Sequence, residues 1–318
     1  MQFGKKNLTP QEIEIRNYKR KKFVSDSVWP IVRFLIIFGL CFVILYPILY
    51  MISTAFSPQS EMNDPSRIWI PKQVIFTNIT DAWEAMDYPR TFGFTLLVNG
   101  VSSLLMVLSC AITGYGFARF KFKGQNLLFA IVILMIIVPP QILSLQQKTQ
   151  FQNFPGGSIL NTPLVMYLPA MFASGLRAGL FILIFRQFFK GLPKELEDAA
   201  YLDGCGPLKT FFVVMVPNAV SSFITVFLFS IVWYWNDTYM LPMFYSGHDS
   251  TKTVAMKISE VGDVMITYLF GKADGATKAE VMVWLEAACL LAIIPILVLY
   301  ICLQKYFTEG IARSGLVG

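Results

Sequence analysis

The sequence predicts an all-α membrane protein with six helical spans. Three observations carry that prediction. Charged residues make up only 14% of the 318 positions, against about 25% in a typical soluble domain. Hydrophobic residues reach 55%. The apolar residues also fall into runs close to the roughly 20 that a helix needs to cross about 30 Å of hydrocarbon.

The elements follow in order. Residues 1–31 form a basic tail. In it Thr9 is placed to cap a short helix, with Pro10 at its first position and Glu12 at the capping-box position. The basic cluster from Arg16 to Lys22 suits anionic lipid headgroups. The first 33 residues contain no early apolar stretch, so no cleaved leader is expected. The first span covers Val32–Met51, within a segment 32–52.

A loop at 53–91 follows, with four prolines and with Trp69 and Trp83 as candidate interfacial anchors. The remaining spans are Phe92–Phe117, Leu127–Leu145, Leu164–Phe185, Thr210–Trp235 and Val281–Leu303. They form a core over 92–303, and a tail at 304–318 closes the chain. Pro139-Pro140 should kink or end the third span.

The net charge of +6 does not read as a nucleic-acid surface, because its distribution follows the membrane. The N-terminal tail to Arg33 holds eight Lys and Arg, and the loops on the same side add more. The positive-inside rule then places both termini in the cytoplasm, in agreement with an even number of spans.

Five cysteines are scattered, four of them within spans, and none forms a CxxC pair. Apolar packing is the expected role. His248 is the only histidine, in an outer loop, and makes a poor basis for a metal site. The phosphate loop GxxxxGK[ST], the GxSxG elbow and HExxH are all absent, so the chain carries no recognisable catalytic apparatus.

One segment breaks the apolar pattern. Gly191-Leu-Pro-Lys-Glu-Leu-Glu-Asp-Ala-Ala-Tyr-Leu-Asp-Gly204 lies in a polar loop, 186–209, between two greasy runs. Pro193 suits the first position of a helix. Glu195, Glu197 and Asp198 suit the positive end of its dipole. Leu196, Ala199, Ala200 and Asp203 share one face, and Gly204 supplies a stop. So short a helix is marginal alone and needs a surface to pack on. That surface is either the membrane interface or a partner.

The spacing resolves the choice by resemblance. Asp198-Ala199-Ala200, three residues, Gly204, nine residues, then Val214-x-Val216-Pro217 resembles the signature loop of permease subunits in bacterial binding-protein-dependent ABC importers. The family form is Glu-Ala-Ala, three, Gly, nine, Ile-x-Leu-Pro. This chain departs from it conservatively at 198, 214 and 216.

Gly114-Tyr-Gly-Phe-Ala-Arg119 with Phe122-Lys-Gly124, Arg186-Gln-Phe-Phe189, and Trp233-Tyr-Trp-Asn-Asp237 with Leu241-Pro242 are similar to the carbohydrate branch. Within it they resemble the second permease of the maltose importer. The resemblance implies the type I ABC importer permease fold, with 193–204 as the coupling helix that docks an ATPase. Glu195, Glu197, Asp198, Ala199, Ala200, Asp203 and Gly204 are then the coupling residues.

It also implies several partners. These are a second homologous permease, two ATPase subunits binding ATP and Mg, an extracytoplasmic solute-binding protein and a carbohydrate substrate. No cofactor is implied in this chain. The implied setting is a bacterial cytoplasmic membrane, with part of Ser246–Lys278 touching the binding protein.

Candidate pathway residues follow from chemistry. Arg177 falls within a span, where its charge is costly unless it faces a cavity or a partner. Either it donates to a sugar, including an acidic one, or the span starts late, after Gly175, leaving Arg177 nearer the outer interface or paired with the second permease. Asn99, Gln141, Trp233, Tyr234, Trp235, Asn236 and Asp237 supply the amides and rings that bind sugars, though rings at a span end also serve as anchors. The rival reading is an ion-coupled secondary transporter, which usually shows acids within spans or an internal repeat. Glu286, near the start of the last span, is the one Asp or Glu within a span here, and no repeat is evident.

Overall fold

Helix α4, Tyr88–Arg119, organises the molecule: 32 residues run without interruption, a rise of about 48 Å. The computed structural model describes residues 9–23, 26, 28–64, 66, 70–245, 252–270 and 278–315, and among them every regular element is helical. Before α4 come α1 (Pro10–Phe23), α2 (Trp29–Ala55) and α3 (Thr77–Ala85). After it come α5 (Gln125–Ile137), α6 (Ser144–Gln152), α7 (Leu164–Met171), α8 (Ala178–Gly191) and α9 (Glu195–Leu202). The chain continues through α10 (Pro207–Thr210), a π-helical turn at Phe211–Met215 and α11 (Val216–Asn218). It ends with α12 (Val220–Trp235), α13 (Met240–Phe244), α14 (Val254–Phe270) and α15 (Lys278–Gly315).

Two apolar cores form around α4. One gathers the middle of α4 with α5, α7, α8, α12 and α13. The other gathers the end of α2, the start of α4, α3, α14 and α15, around the fully buried Trp284. Small residues set the tightest crossing. A Cβ at Gly114 would lie 2.6 Å from Phe185 Cβ, so α4 and α8 touch there almost backbone to backbone. Gly179 lets α8 approach α5 in the same way: a Cβ there would lie 2.7 Å from the Val132 carbonyl oxygen.

The spans differ from expectation in an informative way. α2, α4 and α15 are unbroken helices long and apolar enough to cross a membrane. Pro47 and Pro295 are both absorbed within them. The third expected span breaks at Pro139-Pro140, with 100° between its halves. The fifth bends by 83° at Ala219.

The fourth, expected as one helix over Leu164–Phe185, is two. α7 stops at Met171, and α8 starts only at Ala178. Ala173 and Arg177 both take left-handed backbone, φ 52° and 60°. Broken backbone at membrane depth is tolerated where protein or a cavity satisfies it. Here the Ser174 N–H reaches the Pro169 carbonyl at 2.9 Å.

The loop 53–91 is held by side chains. Glu61 accepts the backbone N–H groups of Lys72 and Gln73, each at 3.0 Å. Asn78 donates to the carbonyls of Ala55 and Ser57. The Lys72 ammonium, with Ser66, holds the Asp64 carboxyl well below the usual carboxylate range. Thr9 precedes α1, and its carbonyl accepts the Ile13 N–H at 3.0 Å. Trp69 and His248 lie outside the described residues, as do 246–251 and 271–277 of the expected binding-protein segment.

Candidate functional site

Helix α9 starts two residues later than the sequence predicts. Leu192 is extended and Pro193 lies outside the helix, which runs from Glu195 to Leu202. Three acids, Glu195, Glu197 and Asp198, occupy its first turn, where the helix dipole favours negative charge. Its end is a Schellman turn. Cys205 N–H donates to the Ala200 carbonyl at 2.9 Å, and Gly204 N–H to the Tyr201 carbonyl at 3.0 Å. Gly204 has φ +77°, a conformation glycine adopts without a Cβ penalty.

The two faces of α9 separate the candidate residues. Glu195, Asp198, Ala199 and Asp203 are exposed, while Ala200 is buried. Leu202 is 89% exposed, a large apolar side chain standing free. Glu197 points the other way. Its Oε1 accepts the Tyr115 hydroxyl at 2.7 Å, and its Oε2 lies 3.2 Å from Arg119 Nε. The side chains of the ion pair are 9% and 6% exposed. Arg119 also donates through Nη2 to the Leu192 carbonyl at 2.7 Å.

An aromatic box surrounds this cluster. Phe120, Phe189 and Phe211 each place a ring centroid 5.1–5.6 Å from that of Tyr115. One residue pair on α4, Tyr115 and Arg119, thus grips both the approach to α9 and its first turn. Sequence reasoning placed Glu197 among the expected coupling residues and used Tyr115 and Arg119 only as motif letters. Their i, i+4 spacing, which puts both on one helix face, was the available signal.

The second candidate region lies at the break between α7 and α8. Arg177 caps α8 and is exposed. It stands 14 residues from the far end of α8, about 21 Å by helical rise. Its guanidinium stacks 4.2 Å from the Trp233 ring centroid, a cation–π contact that joins two of the candidates. A cavity of about 30 Å³ adjoins the break, lined in part by Ser174, Gly175, Tyr234, Gln147 and Pro140. It has room for about one water. Gln141 is exposed in the 3₁₀ turn that follows Pro140, and its carbonyl accepts the Ser144 hydroxyl.

The other candidates sit elsewhere. Trp235 is buried and donates its indole N–H to the Ala292 carbonyl at 3.1 Å. Asp237 accepts three backbone N–H groups, from Tyr239, Met240 and Leu241, and so caps α13. Asn236 is exposed and donates to the Val232 carbonyl. Asn99 is 1% exposed, inside α4. Among the described residues no three His, Cys, Asp or Glu side chains converge as a metal site requires.

Comparison with known proteins agrees with this layout. Residues 106–313 match the family described as "Binding-protein-dependent transport system inner membrane component". The chain is 28% identical to the arabinooligosaccharides transport system permease protein of Halalkalibacterium halodurans, over 91% of this chain and 98% of that one. It is also 28% identical to the melibiose/raffinose/stachyose import permease protein of Bacillus subtilis, over 80% and 86%. A solved bacterial ABC transporter that imports the acidic polysaccharide alginate has a chain with the same fold. Its TM-score is 0.72 at 17% identity, covering 89% of this chain and 98% of that one.

Proposed function

This chain belongs to the family of binding-protein-dependent transport system inner membrane components, and from that membership we propose that it is one transmembrane subunit of an ATP-driven importer of sugars or oligosaccharides. The observation that carries the reading is α9. It is a short acidic helix with a free Leu202 on one face, fastened to α4 by a buried ion pair on the other. A helix so held and so exposed is built to receive a partner surface. The sugar class is supported by the relatives, whose names are those of oligosaccharide permeases.

The importer contains a second homologous permease, two ATPase subunits that bind ATP and Mg, and an extracytoplasmic binding protein. It sits in a bacterial cytoplasmic membrane. The uneven Lys and Arg distribution supports a cytoplasmic placement of α9 and both termini. Closure of the ATPase pair acts on Glu195, Asp198, Ala199 and Asp203, with Ala200 and Gly204 shaping the helix. The permeases then alternate between two states of different ligand affinity. The stacked Arg177 and Trp233 face the substrate path. A ring and a fixed cation there would receive the apolar face and hydroxyls of a sugar.

The test is reconstitution of the chain alone and with its co-purifying partners, in vesicles offered radiolabelled raffinose and arabinotriose. ATP-dependent, vanadate-sensitive uptake only in the presence of the partners is expected. Uptake by the chain alone, insensitive to ATP and vanadate, would overturn the reading in favour of a secondary transporter. Within a working complex, Arg177→Ala should reduce uptake; uptake at the unaltered rate removes Arg177 from the path.

A further inference from the structure

We propose that Glu197, Arg119 and Tyr115 form a clasp that carries the displacement of α9 directly into α4, making α4 the rod that links the two sides of the membrane. The inference rests on the importer reading and adds the route that movement takes.

The covalent routes out of α9 are poor levers. Upstream, α9 joins α8 through extended Leu192 and the non-helical Pro193. Downstream the chain passes a left-handed Gly204, the π-turn Phe211–Met215 and the 83° bend at Ala219 before α12 begins. Each of these can absorb motion. The clasp cannot absorb it as readily. Its ion pair is 3.2 Å long and its hydrogen bond 2.7 Å, both away from water, where salt screens little. Arg119 ties the Leu192 carbonyl to the same point. The segment before α9 and its first turn therefore move together with the end of α4. Removing one partner of such a pair strands a buried charge.

What α4 does at its other end completes the route. Its 32 residues are continuous. Near the far end, Thr95 Oγ1 accepts the Val254 N–H at 2.9 Å, at the start of α14. Tyr88 donates to the Leu291 carbonyl of α15 at 2.8 Å. A shift received at Arg119 therefore reaches α14 and α15 through one stiff element.

The experiment uses the whole complex in nanodiscs and its own solute-binding protein. ATP hydrolysis is measured with and without that protein, and the ratio of the two rates is the readout. A lesion that merely lowers the amount of folded complex reduces both rates and leaves the ratio unmoved. With Arg119→Ala or Glu197→Gln the ratio is expected to fall by about fivefold or more, the lower end of ordinary coupling between sites. Tyr115→Phe should lower it less. Should Arg119→Ala fail to assemble, Glu197→Gln and Tyr115→Phe still decide, since both preserve shape. Unchanged ratios in these two overturn the clasp and leave the importer reading standing. A wild-type complex whose hydrolysis ignores the binding protein overturns the importer reading, and the clasp with it.

Discussion

The two ends of α4 are fastened by different chemistry. At the Arg119 end a buried ion pair and one short hydrogen bond hold a small, exposed helix. At the Tyr88 end the fastenings are neutral: Tyr88 to Leu291, Thr95 to Val254, and a run of rings from Trp83 through Tyr88 and Phe92 to Trp235. The neutral end joins long helices that already bury a shared core around Trp284. The charged end joins α9, which has only eight residues and buries only Glu197 and Ala200. Where burial is too small to fix an element, a directional contact must do so. At the Arg119 end, then, the ion pair supplies the fixing that burial of so small a helix does not.

The largest expected break of the inner end is Gly204→Pro. Proline cannot adopt φ +77°, and it removes the N–H that reaches the Tyr201 carbonyl. A cost on the order of 3 kcal/mol is expected locally, enough to unwind α9. The complex should retain its membrane helices and lose ATP-driven uptake. Proteolysis at the 203–206 turn, compared with uptake in vesicles, checks this; intact coupling would mean that the Schellman end is dispensable. Ala200→Trp should act similarly, because Ala200 is 5% exposed against its neighbours.

Next in size is Gly114→Ala. The added Cβ would meet Phe185 Cβ at 2.6 Å and the Arg186 nitrogen at 3.0 Å. Overpacking of this kind costs about 1–3 kcal/mol. It would push α8 away from α4 at the level of the clasp. Thermal unfolding in detergent should shift downward, and an unchanged midpoint would show that α8 can slide without penalty.

How much of this could be read from the chain differs between the same regions. α2, α4 and α15 were legible because each is one apolar run, and an unbroken run has one solution in a bilayer. The third span's break was legible because Pro139-Pro140 removes donors and fixes φ. The break in the fourth was legible only as an alternative, a span starting late after Gly175. Hydrophobicity is the same whether or not a helix is interrupted. At the break Tyr234 and Met106 close onto Gly175, where a Cβ would lie 2.5 Å from the tyrosine oxygen. The 186–209 loop was singled out by spacing, yet the pairing of Glu197 with α4 was missed. Its partner Tyr115 stands 82 positions away, and no local pattern reports such a pairing.

At the Tyr88 end, Tyr88→Phe removes one neutral hydrogen bond to Leu291. Such bonds within membrane proteins average about 0.6 kcal/mol. A small loss of stability with normal coupling is expected, visible only in careful unfolding series. A large loss of coupling from this variant would mean that the outer fastening also transmits movement.

The smallest effect on the fold, and the sharpest on the comparison, belongs to Leu202. At 89% exposure it contributes almost nothing to the packing of this chain, and surface changes usually stay within about 0.5 kcal/mol. Leu202→Glu should therefore leave thermal stability unchanged. It adds a fourth carboxylate to a helix that already carries three in its first turn, and it removes the most exposed large apolar side chain of α9. If α9 seats in an ATPase, the variant chain should fold and insert normally and fail to co-purify with that subunit. Full co-purification would place the docking surface elsewhere on the 186–209 loop. Loss of folding would show instead that Leu202 packs against this chain in the assembled complex. If α9 is the docking helix, Glu197 holds it and Leu202 offers it, so a variant at each should fail in a different assay.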